Sequence, residues 1–202
     1  MIFRINPSNP QKRLIDKAVD LLKEGGVIAY PTDTIYGFGC DMYNKKAIHR
    51  IYQIKKRDPQ KPFSFICSDL KNISLYAQVT NQAYKIMKRS LPGPYTFILP
   101  GTKLVPKIMT GKRKTVGIRV PDNNISLALV KSLGNPIIST SVGFSGQEIL
   151  SDPSLIEETF GSQIDLTIDG GILANQPSTI ISLINDEVLV IREGLGDFNQ
   201  FV

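Results

Sequence analysis

The stretch LIDKAVDLLKEGGVIAYP, Leu14 to Pro31, holds a helix, its stop and a strand in direct succession. Leu14, Ala18, Leu21 and Leu22 recur at helical spacing and predict one buried helix face. Gly25-Gly26 ends that helix. Val27-Ile28-Ala29-Tyr30 then forms a short apolar run closed by Pro31, which predicts a buried strand. Upstream, Met1, Phe3 and Ile5 alternate with Ile2 and Arg4, the period of a short strand, and Asn9 with Pro10 predicts the cap and first residue of the helix.

Working downstream, Pro31 to Asp41 reads as a glycine-containing turn. A second helix carries Ile48, Ile51, Tyr52 and Ile54 and ends near Asp58-Pro59. Pro62 to Cys67 predicts a strand, a short piece starts at Asp69, and Thr80 caps a helix with Ala83, Tyr84 and Met87 inside. Leu91-Pro92-Gly93-Pro94 is a break. Tyr95 to Leu99 and Thr115 to Val120 predict strands on either side of a basic loop. A helix with Leu127, Leu129, Val130 and Leu133 stops at Gly134, and Pro136 to Thr140 is the next strand. Ser141 to Ser151 is polar and irregular. Asp152 with Pro153 opens a helix that Gly161 closes. Strands at Ile164 to Ile168, Thr179 to Ile184 and Val188 to Ile191 finish the chain, the last two joined by a turn at Asn185-Asp186. Helices alternating with strands early, and a hairpin late, predict a single α/β domain over residues 1–202: a mixed sheet flanked by helices.

The chain has 202 residues, of which 42% are hydrophobic and 21% charged, enough for one sizeable core. No apolar run approaches the length of a membrane span, and the N-terminal residues lack the pattern of a secretory signal. Two cysteines, Cys40 and Cys67, argue against a disulfide framework, and a single histidine, His49, leaves no zinc pattern. The expected compartment is a reducing cytoplasm, with no membrane partner and no metal site. The net charge of +6 favours polyanionic partners. It is concentrated: Lys103, Lys107, Lys112, Arg113 and Lys114 follow one another with no acid between Thr102 and Ile118. That run reads either as a solvated loop or as a flap over an anionic ligand.

No phosphate-binding Gly-x-x-x-x-Gly-Lys-Ser/Thr motif and no Gly-x-Ser-x-Gly elbow occur, and Gly37-Phe38-Gly39 lacks the third glycine of a dinucleotide fingerprint. What remains is a set of cations and hydroxyls at element ends. Lys55 and Arg57 close the second helix, where they also suit its dipole. Arg119 interrupts an apolar strand and shares a face with Gly117, which leaves room beside the guanidinium. Ser139, Thr140 and Ser141 end a strand, and Arg192 ends another. Together they predict a cationic cleft that grips a nucleotide phosphate.

Six segments carry a resemblance: Tyr30 to Cys40 (YPTDTIYGFGC), Ile54 to Arg57, Leu91 to Leu99 (LPGPYTFIL), Val116 to Pro121 (VGIRVP), Ile138 to Ser141, and Val190 to Gly194. In this order they resemble the YrdC/YciO family over nearly the whole chain. The YciO branch is the nearer, through Asn9-Pro10-Gln11, Gly101-Thr102-Lys103, Lys112 to Thr115 and Gly194 to Asp197. The resemblance implies a twisted α/β sheet with a positively charged concave face. It implies a nucleotidyltransferase that takes L-threonine, bicarbonate and ATP, the last as its Mg²⁺ complex, and makes threonylcarbamoyl-AMP and pyrophosphate for tRNA threonylcarbamoyladenosine modification. On that footing Lys55, Arg57, Lys61, Ser141 and Arg192 hold ATP. Thr32, Thr34, Arg119, Ser139 and Ser178 hold threonine, with Arg119 on its carboxylate.

The chain departs from the synthases in three places. Their Ser-x-Asn pattern is here Ser141-Val142-Gly143, Lys61 replaces a polar residue expected near the nucleotide, and Ile66 stands where some relatives contact threonine. Restoring asparagine at Gly143 is therefore expected to raise synthase activity. The alternative function is binding of double-stranded or structured RNA, tRNA included, through the same face and through Lys103, Lys107, Lys112, Arg113 and Lys114.

Overall fold

The computed structural model describes residues 1–59, 61–111 and 114–201. Among the described residues ten strands, numbered along the chain, form one mixed sheet. Their order across it is β1 (Ile2–Arg4), β8 (Leu166–Asp169), β2 (Ile28–Tyr30), β3 (Gly37–Gly39), β7 (Ile137–Ser141), β4 (Ser64–Ile66), β6 (Thr115–Arg119), β5 (Tyr95–Pro100), β9 (Thr179–Ser182) and β10 (Leu189–Arg192). Six α-helices among the described residues flank it: α1 (Lys12–Lys23), α2 (Lys45–Lys55), α3 (Asn81–Ser90), the short α4 (Lys107–Thr110), α5 (Asn124–Leu133) and α6 (Pro153–Phe160). The mixed α/β sheet with flanking helices expected from the sequence is present.

Several helix ends follow local side-chain chemistry. Thr80 accepts a hydrogen bond from the Ala83 amide at the start of α3, and Asp152 accepts one from Ser154 with Pro153 opening α6. Gly134 ends α5 with φ +83°. The first helix starts later than expected. Asn6, not Asn9, is the local acceptor, taking the amides of Ser8 and Asn9, and α1 begins after Gln11. Its buried stripe is Ile15, Ala18, Val19 and Leu22, with Leu14 and Leu21 only partly covered. Helix α2 ends at Lys55, before the expected Asp58, because Lys56 turns left-handed at φ 49°. Tyr84, expected inside α3, is exposed, and Ile86 takes the buried place.

The segment read as a turn between Pro31 and Asp41 contains a strand. Gly37–Gly39 pairs antiparallel with β2 and with β7. Around it the two faces of the sheet divide by the strand period of two. On one face Phe38, Phe65, Phe97, Ile118, Ile138 and Ile181 are buried under α2, α3 and α6. On the other, α1 and α5 pack over Ile28, Tyr30, Ile137, Leu166 and Ile168. That second face changes character further across the sheet, where Gly37, Ser139, Ser64, Gly117 and Thr96 take the same parity. Small and hydroxylic side chains there replace the apolar ones that a helix would cover.

Candidate functional site

A cleft opens over that part of the sheet. Its lining includes Thr32, Ser64, Thr96, Ser139, Ser141, Ser178 and the guanidinium groups of Arg57, Arg119 and Arg192. No carboxylate is among its lining residues in the described structure. Seven of the ten residues expected to hold ATP or threonine therefore meet here: Thr32, Arg57, Arg119, Ser139, Ser141, Ser178 and Arg192.

Each arginine is held by different means. Arg119 stands at the end of β6, on the parity that carries Gly117 and faces the cleft. It is 6% exposed. Its Nη2 donates to Asp33 Oδ1 at 2.6 Å and to Thr34 Oγ1 at 3.0 Å. The room expected beside it at Gly117 is already taken. A side chain at 117 would meet Ser64 Oγ at 2.4 Å, so the glycine makes space for Ser64, which itself lines the cleft. Arg57 lies beside the Phe63 ring, 5.4 Å from its centroid, and donates to the carbonyls of Lys61 and Pro62. Burial lowers its pKa, against the opposing pull of Tyr52 and Asp58.

Arg192 reaches the cleft through an irregularity in the last hairpin. Val190 pairs with Ile181, but Arg192, not Ile191, pairs with Ile180. This bulge puts one extra residue into β10 and reverses the parity beyond it. Without it Arg192 would face the side of Ile181 and Val190, against the core. With it, Arg192 joins Ile180 on the cleft side and donates to the Ser178 carbonyl at 2.7 Å. Partial burial and the nearby charge of Arg119 lower its pKa. Ser178 is fixed in turn by Thr96, hydroxyl to hydroxyl at 2.8 Å.

Three of the ten stand outside the lining. Thr34 is buried behind Arg119. Thr32, though at the cleft, is largely spent on its own turn: its hydroxyl donates to the Ile35 carbonyl and accepts the amides of Thr34 and Ile35. Lys61 is exposed, and it is its carbonyl that Arg57 and Tyr52 use.

Lys55 is the largest departure from expectation. It is 2% exposed, and its ammonium donates to the carbonyls of Ser141 and Gly143, the latter at 2.7 Å, above the Phe38 ring. No carboxylate pairs with it among the described residues. Burial, helped by Arg57, lowers its pKa to about 8. Lys55 thus clamps the backbone of the Ser141–Gly143 segment from behind the cleft floor. Gly143 itself has φ +138°, and a Cβ there would stand 2.6 Å from the Glu148 carbonyl oxygen. The asparagine expected to restore activity at this position has no room in this loop.

Lys103, Lys107 and Lys114 do not line the cleft. Their loop is anchored by buried Val105 and Met109 and by Thr102, whose amide donates to the Tyr76 carbonyl. Lys103 and Lys107 share a separate groove with Lys45 and His49 of α2, and Lys114 lines an adjoining one with them. Lys112 and Arg113 lie outside the described residues. Sequence reading missed Asp33, Thr96 and Ser64. Asp33 and Thr96 lie inside two of the segments that carried the family resemblance, and an acid between two threonines in an apolar stretch was the available signal.

A mixed sheet with an open cleft on part of one face, lined by arginines and hydroxyl side chains, defines the class of α/β protein. The comparisons narrow that class. The Sua5/YciO/YrdC family, described as telomere recombination, matches residues 20–194, and the chain belongs to that family. It is 46% identical to the YciO protein of Escherichia coli K12, covering 99% of this chain and 98% of the relative. The crystal structure of E. coli YciO superposes with a TM-score of 0.95 over 100% of this chain and 99% of that one. A threonylcarbamoyl-AMP synthase of Coxiella burnetii is 34% identical, over 87% of this chain and 95% of the relative. Sua5 of P. abyssi complexed with L-threonine is 28% identical with a TM-score of 0.93, covering 99% of this chain and 59% of that one.

Proposed function

We propose that the cleft joins L-threonine, bicarbonate and ATP into threonylcarbamoyl-AMP and pyrophosphate, the product serving tRNA threonylcarbamoyladenosine modification. The observation that carries the reading is the convergence of Arg57, Arg119 and Arg192 with Ser139, Ser141 and Ser178 on one floor with no carboxylate among its described lining residues. The reaction needs no protein nucleophile. The amine of threonine attacks bicarbonate, water leaves, and a carbamate forms. A carbamate oxygen then attacks the α-phosphorus of ATP, and pyrophosphate departs with the electron pair of the broken P–O bond. What the protein supplies is placement and charge. Mg²⁺ enters as part of the nucleotide substrate.

In this reading Arg57, Ser141 and Arg192 take the phosphates, and Lys55 adds its charge from beneath while fixing the Ser141 backbone. Arg119 takes the carboxylate of threonine through its Nη1 hydrogens by a charge-assisted bond, its Nη2 being held by Asp33 and Thr34, with Thr32, Ser139 and Ser178 beside the amino acid. The relatives named as synthases and the L-threonine complex of a structural neighbour support this assignment. The test is pyrophosphate release from the purified protein, expected only when ATP, L-threonine and bicarbonate are all present. ATP with Mg²⁺ should also raise the melting temperature, and Arg57→Ala should remove most of that rise while leaving the unliganded protein folded. No pyrophosphate, together with an ATP shift unchanged in Arg57→Ala, would refute the reading.

One observation favours a second activity. The groove shared by Lys45, His49, Lys103 and Lys107 has no acid among its described lining residues, and it is formed by α2 and the 103–108 segment, with α2 on the opposite side of the sheet from the cleft. It suits RNA phosphates. Replacing Lys103 and Lys107 by alanine should flatten the slope of log affinity for tRNA against log salt by roughly 0.7–0.9 per lost contact. It should leave pyrophosphate release untouched. An unchanged slope would remove the groove from RNA binding.

A further inference from the structure

Arg119 and Asp33 form a pair whose side chains are only 7% and 8% exposed, with 2.6 Å between Nη2 and Oδ1. Asp33 does not line the cleft, while Arg119 does. The other oxygen of the carboxylate, Oδ2, and the Nε of the guanidinium are both buried with no hydrogen-bond partner. Arg192 differs. Its partners are the carbonyl and hydroxyl of Ser178, and no carboxylate pairs with it among the described residues. The cleft is therefore polarised. At one end a guanidinium presents its full charge. At the other a guanidinium presents donors, but its charge is cancelled from behind by a buried acid.

We propose that Asp33 is a specificity-determining residue that sets the charge of the ligand half accepted at Arg119: a zwitterion, in preference to a net anion. This rests on the reading that Arg119 receives the carboxylate of an amino acid. A bare buried guanidinium attracts any anion, including free phosphate and the phosphates of ATP itself. Cancelling the charge removes that long-range pull but keeps the Nη1 donors, Nη2 being engaged by Asp33 and Thr34, so recognition depends on geometry and on what else the ligand carries. An α-amino acid brings a carboxylate for Nη1 and an ammonium that gains from the negative charge of Asp33. A simple carboxylate brings only a negative charge that Asp33 repels. The phosphates are thereby directed to the Arg57 and Arg192 end, and the two substrates sort themselves along one cleft.

The experiment compares L-threonine with 3-hydroxybutyrate, which keeps the carboxylate and the β-hydroxyl and lacks the amine. Affinities of both are measured by calorimetry for the wild type, Asp33→Asn and Thr34→Val. The wild type should prefer L-threonine by at least roughly tenfold, about 1.4 kcal/mol. Asp33→Asn keeps an acceptor for Arg119 but removes the charge, so the preference should shrink by on the order of tenfold while 3-hydroxybutyrate binds more tightly. Thr34→Val loosens Arg119 without changing charge, and should weaken both ligands while leaving their ratio alone. A merely structural Asp33 would behave like Thr34, with both affinities falling in parallel in Asp33→Asn, and that result overturns the inference. So does a wild type that binds the two ligands equally, a result that stands even if Asp33→Asn fails to fold. A wild type that binds neither ligand overturns the amino-acid reading of the cleft and this inference together. Binding of L-threonine with a ratio unchanged in Asp33→Asn overturns this inference alone.

Discussion

Replacing Gly143 by asparagine tests how the loop after β7 is built. The family pattern suggests that asparagine would add a useful polar group beside the nucleotide. The backbone opposes it on two counts. At φ +138° a side chain is strained, and its Cβ would come within 2.6 Å of the Glu148 carbonyl oxygen. That oxygen cannot simply step aside, because the next residues are tied down: the Leu150 amide donates to the Val142 carbonyl at 3.0 Å and the Ser145 amide to the Lys55 carbonyl at 2.9 Å. A residue forced into an unfavourable backbone region costs about 1–3 kcal/mol, and overpacking costs about as much again. The sum is ~2–6 kcal/mol. For a domain of this size each kcal/mol moves the melting temperature by about 2–4 °C, so a fall of roughly 4–24 °C is expected. Scanning calorimetry on the wild type, Gly143→Ala and Gly143→Asn gives the answer. Alanine carries the same Cβ without the amide and should fall as far as asparagine. Neither variant should form pyrophosphate faster than the wild type. An asparagine variant that melts within about 2 °C of the wild type, or that turns over faster, would refute this account of the loop.

Other consequences are equally open to measurement. Lys55 has its pKa lowered to about 8 from the ordinary 10.5, so between those pH values the unfolded chain binds the extra proton and stability rises with pH. Relative to Lys55→Met, the wild type should gain on the order of 3 kcal/mol across that window, and a difference that stays flat in denaturant titrations would argue against a buried ammonium. Cys67 is buried with its thiol pushed up to about 12, and Cys40 is raised further by the same cause, so iodoacetamide should label neither in the native protein and both after denaturation; fast native labelling would contradict their placement. Thr96→Val leaves the Ser178 hydroxyl with only its 3.4 Å contact from Arg192 and should cost about 1 kcal/mol, read as a lowered urea midpoint at unchanged slope. Deleting Ile191 removes the bulge residue and leaves Arg192 directly after Val190, still opposite Ile180 and on the cleft side. The ATP-dependent rise in melting temperature should therefore survive that deletion and shrink in Arg192→Ala, and an unchanged rise in Arg192→Ala would show that Arg192 does not serve the nucleotide.

Much of this fold is written locally, and the unread parts are those set at a distance. Thr80 and Asp152 announce their helices because a cap is satisfied within three residues. Arg119 on the face of Gly117 follows from strand parity alone. Strand β3 escapes because Gly-Phe-Gly has no strand signature of its own, and its pairing is supplied by β2 and β7, elsewhere in the chain. Lys55 reads as a helix-end cation suited to the dipole. Its burial depends on Lys56 turning left-handed and on carbonyls 86 and 88 residues away. Arg192 reads as a strand-end cation, yet the bulge that aims it is a matter of hydrogen-bond register between β9 and β10. Asp33 passed unremarked because its importance comes entirely from Arg119, which sequence places 86 residues further on.

The arrangement separates the demands of stability from those of chemistry with little cross-talk. Along β3, β7, β4, β6 and β5 one parity carries Phe38, Ile138, Phe65, Ile118 and Phe97, all fully buried. The opposite parity carries Gly37, Ser139, Ser64, Gly117 and Thr96, which form or support the cleft floor. A slip of one residue in any of these pairings would exchange the two sets, placing hydroxyls in the core and phenyl rings in the site. The apolar core therefore enforces the register on which the site depends, while substitutions on the cleft parity leave the core packing intact. At the edge of the sheet the core no longer dictates register so firmly, since Leu189 and Ile191 are both exposed. That is where a bulge can be tolerated, and where Arg192 gains an orientation that regular pairing would deny it. Lys55 is the exception to this separation: it packs on the core side of the floor, over Phe38, and still reaches the backbone of Ser141. A change at Lys55 should therefore disturb folding and the cleft together, whereas changes at Arg57, Ser139 or Arg192 should disturb the cleft alone.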